Sequence, residues 1–289
     1  MEIAAVWLLF LVDAVAMLVT YSRVPAGELY HVSGSGLGGG LSRVLVFSNF
    51  STALVAIPIL ALLAARTQSR VTIAAAVVGA ILCAAVFWPG VVDQADLDAR
   101  PVNAIAGIGV LIAMALTALA LRGGAAWSPP RSGDRIRIVA AAVAVFFALP
   151  WIGAELGLFL NGVPLLGRLF QTGRFLPGDP LAAVHHGHHH GMDGLLLLLT
   201  ALLLSRVVPS LRHGALRAAV GLYLALMVAY AVANYANDIW TEQIVKRGWT
   251  TWSIPNVLQP KVSIAWSLIV LGAVVLYALA SARSGEAAE

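Results

Sequence analysis

The stretch HHGHHHGMDGLLLLLTALLL, residues 185–204, sets an imidazole-rich string against an almost unbroken apolar run. The apolar run decides the fold. With its flanks it covers residues 185–208, and a helix needs roughly 20 apolar residues to cross the hydrocarbon core of a bilayer. Outward from it the chain repeats the pattern at about 3–21, 42–64, 71–90, 102–121, 136–160, 214–238 and 263–282. Of 289 residues, 60% are hydrophobic and only 11% are charged, where a soluble domain carries about 25% charged residues. The expected fold is all-α: one transmembrane domain over residues 1–289, a polytopic bundle of about eight helices, with the lipid bilayer as its surroundings.

The first span is read as a retained helix rather than a cleaved signal. It opens MEIAAVW without a basic leader and carries Asp13 inside its apolar run. The single cysteine, Cys83, excludes an internal disulfide and reads as a small buried hydrophobe. The net charge of +4 comes from arginines at span ends, so nothing points to nucleic acid. No internal repeat of the kind that marks inverted-repeat transporters is present.

Eight spans put both termini on one face. The short connections of that face hold Arg66, Arg70, Arg122, Arg131, Arg135, Arg137, Arg206, Arg212 and Arg217 close to span ends. The basic residues of the other face, Arg43 among them, are spread through longer loops. The positive-inside rule then places both termini in the cytoplasm of a cell-membrane protein. The longer loops 22–41, 91–101, 161–184 and 239–262 lie outside, with Trp240, Trp249 and Trp252 as interface anchors.

Ionisable groups at membrane depth are costly, and each is a functional candidate by default. Asp13 and Asn49 fall at similar depth on antiparallel spans. Glu155 lies one turn after Trp151 near the outer end of the fifth span. In the seventh, Tyr223, Tyr230, Asn234, Asn237 and Asp238 recur at helical spacing and share a stripe. All of them crowd the outer half of the bilayer, which suggests a polar cavity open to that side.

Five of the seven histidines fall within 185–190. If the sixth helix starts near Leu181, His185, His189, Asp193, His186 and His190 lie at about 0, 40, 80, 100 and 140° around its axis. Gly187, Gly191 and Gly194 lie at about 180–240°, a flat side for close helix packing. Histidine pairs at i, i+4 suit one metal ion. A set of His185, His186, His189, His190 and Asp193 without thiolates favours Zn, Fe or Cu. Glu155, Asp238 and Asp13 are the candidate catalytic groups, and Asn49, Tyr230, Asn234 and Trp151 the candidate substrate-binding ones. The same histidines also suit a proton relay, since imidazole titrates near neutral pH.

HVSGSGLGGG, residues 31–40, contains a formal G-x-G-x-x-G, but it follows an apolar span instead of a strand. It reads as an external or re-entrant loop. Glu28, Ser48, Asn49 and the 185–190 histidines look similar to the acidic residue, the Ser-Asn pair and the late histidines of alkaline ceramidases, which implies a zinc hydrolase. That family also has a Ser…His…Asp motif in a middle span, and the third and fourth spans here contain no histidine.

The leading expectation is a membrane metalloenzyme with its metal at the outer interface, acting by redox or hydrolytic chemistry on a lipophilic small molecule. The alternatives are a proton-coupled or metal-ion transporter using His, Asp and Glu as a relay, and a non-catalytic metal- or cofactor-binding subunit of a membrane complex.

Overall fold

A computed structural model describes residues 1–23, 34–88, 90–91, 98–124, 126–156, 158, 160, 162–170, 190–255, 257 and 261–286. Its helices are α1 (Glu2–Tyr21), α2 (Gly36–Ala64), α3 (Arg70–Cys83), α4 (Asn103–Arg122), α5 (Asp134–Glu155), the short α6 (Leu166–Phe170), α7 (His190–Ser205), α8 (Gly214–Trp240) and α9 (Ile264–Glu286). A 3-10 turn, Ala84–Phe87, continues α3, and a π-helical turn, Thr241–Val245, continues α8. Among the described residues there is no strand, and eight helical stretches are long and apolar enough to cross a membrane. That is the build of a multi-pass membrane protein. In hydrocarbon a helix satisfies its own backbone groups, so low polarity costs the fold nothing there.

The helices are apolar almost all round, and packing decides which face is inside. Helix α2 touches α1, α3, α4, α7 and α8, and α7 touches α1, α2, α5 and α8, so these two form the centre. Helix α9 packs on α8 at the margin. Leu8, Val71, Ile138 and Leu271 are exposed on the outward faces. Exposed apolar surface on this scale marks contact with lipid rather than water. Small residues let backbones approach: a Cβ on Gly109 of α4 would lie 2.6 Å from the Gly79 carbonyl of α3. Cys83, at the same contact, is fully buried.

Two expectations change. Residues 36–40 are helical, so that part of the glycine-rich segment is the first turn of α2 and no loop. Glycine is a poor helix former, but a Cβ on Gly40 would strike Ser22 and come within 2.9 Å of the Leu18 carbonyl. Close packing of α2 on α1 outweighs propensity. Arg43, grouped from the sequence with the basic residues of the loop face although the expected span 42–64 already contains it, is a buried helix residue.

The cytoplasm-assigned ends are held by a small ionic net. Buried Glu2 accepts from the Ser128 N–H at 2.8 Å and lies 3.5 Å from Arg206. Arg206 in turn lies 3.2 Å from Asp134. Arg137 donates to Ser205 Oγ at 2.8 Å. The starts of α1 and α5 and the end of α7 are thus tied together, and most other buried polar groups gather at the opposite end.

Candidate functional site

Helix α7 enters the bundle with a buried first turn, Gly191 to Gly194. The Gly191 N–H donates to Asp238 Oδ2 of α8 at 2.8 Å. This satisfies one of the orphan donors of a helix start and sets a carboxylate at the positive end of the helix dipole. Two residues on, Asp193 Oδ1 accepts from Ser51 Oγ of α2 at 2.7 Å. The opposite side of the turn is the flat one. A Cβ on Gly191 would run into the Trp151 ring of α5, and one on Gly194 would lie 2.7 Å from the Tyr235 ring of α8. The glycine face expected from helical phase is therefore occupied by two aromatic side chains. Trp151 and Tyr235 meet edge to face at 5.0 Å, and Tyr235 donates to the Ala144 carbonyl at 2.8 Å.

Around Asp193 the helices bring together three more ionisable groups. Asp13 of α1, Glu155 at the end of α5 and Arg43 of α2 lie within charge-interaction range of one another and of Asp193. Asp238 lies within range of Asp193. All five are at least nine-tenths buried. Both carboxylate oxygens of Asp13 are buried and have no hydrogen-bond partner among the described residues. Thr20 Oγ1 donates to the Glu155 carbonyl, which locks the C-terminal end of α1 to the last turn of α5. Arg43 lies 5.8 Å from the Tyr21 ring centre and 5.9 Å from that of Phe47, in cation–π range of both. Arg43 and Ser51 are eight residues apart on α2, so the centre runs roughly 12 Å along that helix.

The remaining expected residues divide. Tyr230 and Asn234 are buried on α8, and the Asn234 amide donates to the Tyr230 carbonyl at 3.1 Å. Asn237 turns away from the centre and donates to the Pro255 carbonyl at 3.1 Å. Asn49, expected at a depth similar to that of Asp13, is engaged with Asn103 at the start of α4, each donating to the other. His185, His186 and His189 lie outside the described residues, as do Glu28 and His31. His190 is the first residue of α7, its side chain not among those described. Among the described residues no three His, Cys, Asp or Glu side chains form a group able to hold a metal ion.

Sequence reasoning missed two members. Arg43 was counted with the basic residues of the loop face although the span 42–64 contains it, and Ser51, within the same span, was not among the candidate site residues. Ser51→Ala tests the second: it leaves Asp193 Oδ1 buried without this donor, at an expected cost of about 1–3 kcal/mol. A fall in the thermal unfolding midpoint of the purified protein in detergent measures it, and an unchanged midpoint counts against the contact.

Comparison with protein-family models, with characterised proteins and with solved structures finds no match. The similarity to alkaline ceramidases thus rests on its few residues alone.

Proposed function

We propose that this chain is an integral membrane metalloenzyme acting on a lipophilic substrate at the outer end of the bundle. One observation carries the reading: the turn that follows the histidine string delivers Asp193 into a buried centre where carboxylates outnumber the Arg43 guanidinium. A surplus of buried negative charge is costly unless protons or a cation offset it. His185, His186, His189 and His190 would supply neutral ligands for Zn, Fe or Cu, with Asp193 as a further ligand or as the group orienting a histidine. Glu155 or Asp238 would serve as general acid or base. Asp13, Trp151, Tyr230 and Asn234 would wall the pocket, with Asn49 at its edge. Bound metal supplies Lewis acidity or redox capacity, for a hydrolytic or an oxidative step. The arginine distribution supports a cell-membrane protein with this end on the outer side and both termini in the cytoplasm.

Elemental analysis of protein purified without a His-tag or chelating resin tests the proposal. The expected result is near-stoichiometric Zn, Fe or Cu, lost when His185, His186, His189 and His190 are all changed to alanine. Native protein free of metal would falsify the enzyme reading.

A second reading draws on Asp13. A buried carboxylate without a hydrogen-bond partner among the described residues suits a proton relay, as in a proton-coupled carrier. Proton-linked uptake by proteoliposomes that disappears in Asp13→Asn would favour it over the enzyme.

A further inference from the structure

Between α2, α8, α9 and the Ala84–Phe87 turn lies a cavity of about 90 Å³, lined by Phe50, Leu54, Phe87, Met227, Tyr230 and Trp266 among others. The polar tips of the aromatic wall are engaged elsewhere. Tyr223 donates to the Leu54 carbonyl at 2.9 Å and Trp266 Nε1 to the Val257 carbonyl at 3.1 Å. What remains is a carbon surface offering water no partners, and an apolar void of this size stays dry and accepts hydrocarbon.

The shape fits a chain. Tyr223 and Tyr230 both line the cavity and are seven residues apart on α8, so it extends about 10 Å along the helix. At its lip Phe87 is 47% exposed, and the neighbouring Trp88, Ile264 and Leu268 are exposed as well. In a bilayer such exposed apolar residues would meet acyl chains, and a mouth beside Phe87 would open toward lipid. On the other side stands Tyr230. Its ring meets Phe50 at 6.5 Å and Trp266 at 5.4 Å, and it lies within charge-interaction range of Asp193. Tyr230 thus borders the cavity and also lies within charge-interaction range of the carboxylate centre.

We propose that this cavity seats one hydrocarbon chain of a membrane lipid, admitted laterally past Phe87, with the polar head of the same molecule on the Asp193 side of Tyr230. The inference names the apolar part of the substrate, and it rests on the enzyme reading only for where the head goes.

The test uses the full-length protein in phosphatidylcholine nanodiscs doped with a phospholipid carrying a diazirine on one acyl chain. After irradiation, mass spectrometry maps the adducts. Peptides holding Phe50, Tyr230 and Trp266 should be labelled several-fold more than the lipid-facing peptide holding Ile138, which is 67% exposed. Met227→Trp, which fills the cavity, should remove that excess and leave labelling at Ile138 intact. Phe87→Trp blocks the mouth from a half-exposed position that leaves core packing in place. No excess in the native protein, or an excess that survives both substitutions, overturns the proposal. An excess retained in protein shown to be metal-free keeps the chain seat and removes only the enzyme reading.

Discussion

Arg43→Met lowers the stability of the bundle by about 3–5 kcal/mol, the usual cost of removing one partner from a buried charged group. Methionine keeps an unbranched apolar stem in the slot between Tyr21 and Phe47, so lost volume contributes little. What goes is the positive charge within range of Asp13, Glu155 and Asp193. Those carboxylates remain more than nine-tenths buried, without that counter-charge. The unfolding midpoint in detergent, followed by tryptophan fluorescence, should fall clearly below that of the parent. Adding Glu155→Gln to the variant should restore part of the loss, because one of the uncompensated charges is then gone. Equal midpoints for Arg43→Met and the parent would show that Arg43 neutralises nothing here.

Gly191→Val should cost about 1–3 kcal/mol through overpacking and disturb the centre as well. The Trp151 ring fills the space that the new Cβ needs. It has little freedom to retreat, being 2% exposed and braced by Tyr235, itself fixed to Ala144. The first turn of α7 must move instead, and with it the Gly191 contact to Asp238 and the Asp193 contact to Ser51. The double variant Gly191→Val with Trp151→Leu separates steric cost from other effects: relief of the clash should regain stability. If the single variant unfolds at the parent temperature, the close approach of α7 to α5 is wrong.

The eight helices long and apolar enough to cross a membrane were legible because hydropathy acts locally. A run without charges is apolar whatever packs against it, and the helices match those runs to within a few residues at most ends. The phase of α7 was legible for a related reason. Helical periodicity alone put Asp193 and the glycines on different sides, and α2 meets the carboxylate while α5 and α8 meet the glycines. Residues 36–40 were not legible, because glycine favours a loop until a neighbouring backbone makes its missing side chain an advantage. Arg43 was missed although the expected span contains it, because it was tallied with the basic residues of the loop face and not weighed as a buried group.

The sequence by itself determined the class of protein and the concentration of buried polar groups toward one end of the bundle. Each follows from composition and spacing along a single helix. Only the tertiary structure decided which of those groups meet. It joined Asp193 to Ser51 and Asp238 to Gly191, gathered Asp13, Glu155 and Arg43 into one buried centre, and gave Asn49 to Asn103. The reason is physical. Apolar helices carry little information about their inward faces, so partner choice depends on close fit between backbones and on where buried charge finds compensation.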